Sequence, residues 1–260
     1  MSGVLPFLSV DDFTSFIMVL ARIAGLFAAI PLFGGNRVPQ TVKAAAILAM
    51  TLVLFPIIRG SIPQVATNPL TIGILVVREA LVGITLSILS QLIFAAVEFC
   101  GQLIGMQMGL SIASLFDPDQ GQTQVIATFQ GLLAMLFFMT LGVHHLFIRA
   151  IVESYEVLPV GAWHMSGELL HFVISATSGL FVLAIKLAAP VMVSLLAAGM
   201  VLGIMARSFP QMNVFMISFP LNIGLGLLIL GASLMAFGQT LNEAFGGLAG
   251  QIRILFKLMA

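Results

Sequence analysis

The sequence predicts an all-α integral membrane protein, with about six hydrophobic segments forming long, broken helical hairpins. Three observations predict it. Sixty per cent of the 260 residues are hydrophobic and 8% are charged, where a soluble domain carries about 25% charged residues. Too few polar groups are present to cover a water-facing surface, and mean hydropathy is +1.16. The apolar residues also gather into runs of membrane-crossing length, bounded by polar or Pro/Gly clusters. Finally, Arg22, Lys43, Arg78, Glu79, Glu98 and Lys186 interrupt those runs. A charge at the bilayer centre costs about 2.5–3.5 kcal/mol on insertion scales, so these six must face protein, water or headgroups.

In chain order, the first run covers Phe13 to Phe33, with Asp11, Asp12 and Thr14 as cap candidates, and is broken by Gly34, Gly35, Asn36 and Pro39. A short second run, Val42 to Ile58, stops at Arg59, Gly60 and Ser61. The third is long, Leu70 to about Met108, and the stretch Gly109 to Thr123 after it, with Asp117, Pro118, Asp119 and Gly121, reads as a loop. A fourth run spans Val125 to Ile148, followed by a polar stretch, Arg149 to Gly167. The last two, Glu168 to Ala206 and Met212 to Phe237, flank a turn at Arg207 to Gln211. Pro210 ends the first of these helices, so the pair should pack antiparallel. An amphipathic tail, Leu241 to Met259, carries Arg253 and Lys257.

Glu168 to Ala206 would extend roughly 58 Å as helix, about twice the hydrocarbon thickness. Either it protrudes from the bilayer, or Pro190 and Gly199 bend it. Gly101, Gly105 and Gly109 recur every four residues and form a stripe that lets another backbone approach closely. These helices are expected to embed in other helices more than in lipid.

Ten basic residues balance ten acidic ones, which excludes a basic stripe for nucleic acid. The single cysteine, Cys100, cannot form an intrachain disulfide. No Lys or Arg precedes the first apolar run, so that run is expected to remain part of the fold. No nucleophile elbow, Walker loop, CxxC pair or His-Glu-x-x-His occurs, and the expectation is no enzyme, no cofactor and no metal. His144 and His145 are adjacent and diverge by about 100° on a helix. His164, Glu168 and His171 share helical spacing, but Ser166 and Gly167 read as a helix start, which leaves His164 outside.

The stretch from Gly109 through Leu110, Ser111, Ile112, Ala113, Ser114, Leu115 and Phe116 to Asp117 and Pro118 is apolar yet too short to span. Irregular backbone at membrane depth is tolerated only inside protein or against a cavity. On physical grounds it suits a buried loop and a pore-lining segment equally.

Several stretches resemble the FliR family of flagellar biosynthetic proteins, whose injectisome relatives form the SctT group. They are the run from Arg22 through Pro31 to Gly34 with Val38 and Pro39, then Arg78 and Glu79 through Gly83, and Gly101, Gly105 and Gly109 through Ser111 to Asp117 and Pro118. Near the C-terminus they are Leu202, Gly203, Arg207, Pro210, Gln211, Asn213, Phe215 and Phe219 to Leu221. Together they cover nearly the whole chain.

The resemblance implies a single export-gate membrane domain, residues 1–260. About 1–165 would pack like a FliP subunit, and about 166–260 as a FliQ-like helical hairpin and tail. Such proteins join FliP and FliQ homologues in the bacterial inner membrane at the flagellar basal body, around a channel for unfolded flagellar proteins, with an FlhB homologue associated. In that family a hydrophobic loop plugs the closed channel; by position it corresponds here to Gly109 through about Thr123. Arg22, Arg78, Glu79, Glu98, Gly101, Gly105, Lys186, Arg207 and Pro210 would then pack helices or face partners. The competing readings are a secondary transporter for a small solute or ion, which calls for an inverted repeat that the two halves lack, and an intramembrane enzyme, which calls for a catalytic constellation.

Overall fold

The computed structural model describes residues 10–30, 38–62, 68–110, 124–209, 211 and 213–259. Helices form over the apolar runs, and three of them continue through an internal proline, at Pro56, Pro190 and Pro220. The first is α1 (Val10–Ala29). The second, α2 (Gln40–Ile58), starts directly after Pro39 and tightens into a 3₁₀ turn at Arg59–Ser61. The third, α3 (Pro69–Gln107), opens on a proline, tolerated at the first helical position because no intrahelical donor is needed there. Then come α4 (Val125–Thr140), α5 (Val143–Val157), α6 (Gly167–Ser208), α7 (Val214–Gly246) and α8 (Leu248–Met259). The expected start at Ser166 and Gly167 is where α6 begins. The Ser166 hydroxyl accepts the Leu169 N–H at 3.1 Å and donates to the Leu258 carbonyl of α8 at 3.2 Å.

Two segments differ from expectation. The run Val125 to Ile148, read as one span, is two helices bent by 60°, because Gly142 between them takes φ +66. From there α5 continues to Val157, well into the stretch that reads as polar. Its buried residues, Val143, Phe147, Ala150, Ile151, Ser154 and Tyr155, keep one helical seam going while Arg149, Glu153 and Glu156 point outward. The 42-residue α6 runs through Pro190 uninterrupted, so the long segment is one helix rather than a broken one.

Among the described residues, α2, α3, α6 and the run Met216–Met259 are long and apolar enough to cross a membrane, and the bent pair α4–α5 makes a fifth. The first apolar run is not among them. As α1 it carries Arg22 at its centre and buries Met18, Val19, Ile23 and Leu26, so its helix is used inside the protein.

The chain divides into two compact units. Unit 1 comprises Met1–Leu92, Gly142–Ala176 and Gly246–Ala260; unit 2 comprises Ile93–Leu141 and Thr177–Phe245. Unit 1 packs α1 against α2, and α5 against α8. The amphipathic tail expected from Leu241 divides: Leu241 to Gly246 continue α7, and the rest is α8, with Leu248, Ile252, Leu255, Phe256 and Met259 inward and Arg253 and Lys257 outward. Unit 2 contains an aromatic triangle. Phe94, Phe138 and Phe245 have centroids 5.7, 5.8 and 5.9 Å apart, within the range for favourable edge-to-face contact.

Candidate functional site

The strongest polar constellation is buried in unit 1. Arg22 on α1 and Glu79 on α3 are both fully inaccessible. The Arg22 Nε donates to Glu79 Oε2 at 2.6 Å, and Nη2 lies 2.6 Å from the same oxygen. Nη1 donates to Ser154 Oγ on α5 at 2.8 Å, and Nη2 to the Leu158 carbonyl at 3.3 Å. The guanidinium carbon sits 3.8 Å from the Tyr155 ring centroid, a cation–π contact that gains strength away from water.

Both members of the Arg78–Glu79 pair reach the backbone of one residue, Gly161. Glu79 Oε1 accepts the Gly161 N–H at 3.1 Å, while Arg78 donates to the Gly161 carbonyl at 3.0 Å. The sequence reading that these neighbours cannot face each other holds, since Glu79 is buried and Arg78 exposed. Gly161 takes φ +81, and a Cβ there would sit 2.6 Å from Leu75 Cδ2. Ser154, Tyr155 and Gly161 were not legible as members of this cluster. The available signal was the seam of α5 continuing at spacings of three and four.

Two glycines let α1 and α3 meet backbone to backbone beside the cluster. A Cβ on Gly83 would lie 2.1 Å from the Arg22 carbonyl oxygen, and one on Gly25 would lie 2.2 Å from that of Ala80. No larger residue fits either position without moving a helix.

In unit 2 the glycine stripe divides by role. At Gly101 a Cβ would be 2.3 Å from Ala127 Cα, so α3 and α4 cross there at backbone contact. Gly105 faces open space, with nothing within 4 Å of a Cβ. Gly109 takes φ +82 and ends the helical path. Just before it, Met108 is fully buried in the gap left by Gly226 on α7. Of the candidate plug, Gly109 and Leu110 are described; Ser111, Ile112, Ala113, Ser114, Leu115, Phe116, Asp117 and Pro118 lie outside the described residues, as does Pro210.

Glu98, Lys186 and Arg207 are exposed. His144 and His145 rings lie 4.0 Å apart, and His164 stands outside α6, near the Ala162 carbonyl. Among the described residues no three His, Cys, Asp or Glu side chains gather as a metal site. A cavity of about 380 Å³ in unit 1, lined by Leu26, Phe27, Ile30, Ala46, Ala49, Met50, His144, Phe147 and Ile148, is apolar apart from its one histidine.

Residues 13–248 match the family model for bacterial export proteins, family 1. The flagellar biosynthetic protein FliR of Bacillus subtilis is 33% identical over 254 residues, covering 96% of this chain and 97% of its own. FliR of Pectobacterium carotovorum is 32% identical over 222 residues, covering 84% and 83%, and FliR of Escherichia coli 31% over 215, covering 82% and 81%. An all-helical chain with several membrane-length helices and an internally paired charge cluster, matched over nearly its full length, belongs to family 1 of the bacterial export proteins, in the FliR group of flagellar biosynthetic proteins.

Proposed function

We propose that this chain joins FliP and FliQ homologues to form the export gate of a flagellar apparatus in the bacterial inner membrane. Unfolded flagellar proteins pass through that gate, and an FlhB homologue associates with it. The chain acts as a structural and gating component, not an enzyme. About 1–165 packs like a FliP subunit, and about 166–260 forms the FliQ-like hairpin and tail. The loop 109–123 is the channel plug.

One observation carries this reading beyond family membership. The longest helices leave large apolar side chains uncovered, including Phe181, Val193, Met200 and Ile204 on α6 and Met216, Leu228 and Met235 on α7; Lys186 is exposed between Phe181 and Val193, and Glu98 on α3 and Arg207 in the last turn of α6 are exposed as well. Lipid suits the apolar residues and not the charges; neighbouring protein helices suit both.

The test is co-expression with FliP and FliQ homologues, followed by the mass and composition of the purified complex. A stable hetero-oligomer containing this chain is expected. A monodisperse single chain that transports a small solute in liposomes would instead establish the transporter reading.

A further inference from the structure

We propose that the outer face of α6 around Lys186 is a docking surface for an apolar membrane helix that carries a carboxylate at the depth of Lys186. The inference rests on the assembly reading and specifies the chemistry of one contact within it.

All the observations lie in unit 2. The inward seam of α6 in this unit is Ala184, Leu187, Ala188, Val191, Leu195 and Leu202, all buried. At 3.6 residues per turn, Leu195 lies about 180° from Lys186, so the lysine stands on the centre line of the opposite face and points away from its own unit. Ile204, about five full turns further on, lies on the same line. Val182, Val193, Met200 and Ile204 along this face are 52%, 64%, 68% and 68% exposed. The ridge from Val182 to Ile204 is about 33 Å long, a shape that matches the groove of another helix.

One charge sits on this apolar ridge. Among the described residues Lys186 makes no ion pair. A lysine near the end of a span can snorkel to headgroups, but Val182 and Ile185 flank Lys186 on one side, and Val193, Met200 and Ile204 on the other, all exposed. The same turn is polar a second time. Position 190 is proline, so the Lys186 carbonyl lacks its i+4 donor. Lipid chains satisfy neither group. A neighbouring helix with an Asp or Glu at this level supplies the anion, and its aliphatic side chains cover the rest of the ridge.

The test uses the full chain in cells making the complete export apparatus. A photo-crosslinking amino acid replaces Val193 or Ile204, and crosslinked peptides are sequenced by mass spectrometry. The expected product is an apolar segment of another membrane protein with an Asp or Glu within about one helical turn of the Lys186 level. Lys186→Glu should lower co-purification with that protein at least about tenfold, whereas Lys186→Arg keeps the cation and stays within about twofold. Replacing the identified carboxylate by lysine should restore assembly of the Lys186→Glu chain. Crosslinks to lipid alone, to a segment lacking a carboxylate, or to α3 of a second copy at Glu98 overturn the proposal. So does a Lys186→Glu chain that assembles like the parent. In that last case the complex still forms and the assembly reading stands; if the parent chain forms no complex, the assembly reading itself falls.

Discussion

Arg22 and Glu79, 57 positions apart in the chain, meet at 2.6 Å with neither side chain reaching solvent. A buried ion pair loses much of its Coulomb gain to desolvation, so its presence alone adds little stability. This one also holds Leu158 and Gly161 by their backbones, and thereby fixes the chain between α5 and α6. Removing one partner strands the other charge.

Glu79→Ala or Arg22→Ala should therefore cost about 3–5 kcal/mol, read as loss of monodisperse protein on graded heating in detergent. The double replacement Arg22→Met with Glu79→Leu should be more stable than either single alanine variant. Arg22→Lys should also fail, because one ammonium nitrogen cannot take the places of the three guanidinium nitrogens that reach Glu79, Ser154 and Leu158, nor stack a planar face on Tyr155. If the single and double variants melt alike, the pair is not coupled as described.

The glycines give a contrast within one protein. Gly83→Ala and Gly25→Ala insert a methyl at 2.1–2.2 Å from a backbone oxygen and should destabilise by about 1–3 kcal/mol. Gly105→Ala meets nothing within 4 Å, and its better helix propensity is worth about 1 kcal/mol, so the isolated chain should be at least as stable. Should Gly105→Ala instead lower recovery of the complex alone, a partner backbone lies against that face. Thermal stability of the chain and yield of the complex, measured side by side, separate the two effects.

Gly142 holds the 60° bend between α4 and α5 with φ +66. Left-handed backbone costs an L-residue about 1–2 kcal/mol, so Gly142→Val should destabilise by at least that much. Gly142→Asn should cost less, since asparagine tolerates this region. Equal melting of the two variants would remove the conformational explanation.

If the loop 109–123 plugs the channel as proposed, Leu115→Ser with Phe116→Ser should leave the complex assembled and make the membrane leaky to ions. Each apolar side chain contributes about 1.5–3 kcal/mol to closure if fully buried, enough to hold a gate and small enough for a substrate to displace. An intact complex that stays tight to ions would end the plug assignment, and a complex that fails to assemble would favour a buried structural loop.

The helical character and most segment ends were legible because hydropathy and Pro/Gly punctuation are local signals. The start at Ser166–Gly167 and the inward face of α8 follow from residues within one or two turns. The need to neutralise Arg22 was equally plain, since an isolated cation in an apolar run is costly anywhere. Its partner was not. Nothing near position 22 distinguishes Glu79 from Glu98, and the choice depends on two glycines that bring α1 onto α3 at one level. Gly142 was missed because a glycine in an apolar run is usually a tolerated helical residue, and only the three-dimensional path of α5 toward Arg22 demands a bend. The equal spacing of Gly101 and Gly105 likewise hides a difference: one touches Ala127 and the other faces outward.

The distance between Arg22 and its partners along the chain sets an order of events during synthesis. Glu79 follows by 57 residues, Ser154 by 132 and Leu158 by 136. At about 5–20 residues per second, the cation waits roughly 3–11 s for its carboxylate and longer for the remaining acceptors. Helix α1 therefore leaves the ribosome before α3 but cannot reach its final place until α3 arrives, and its setting is complete only after α5. Any insertion machinery must keep this segment in a wet or protein-lined environment meanwhile.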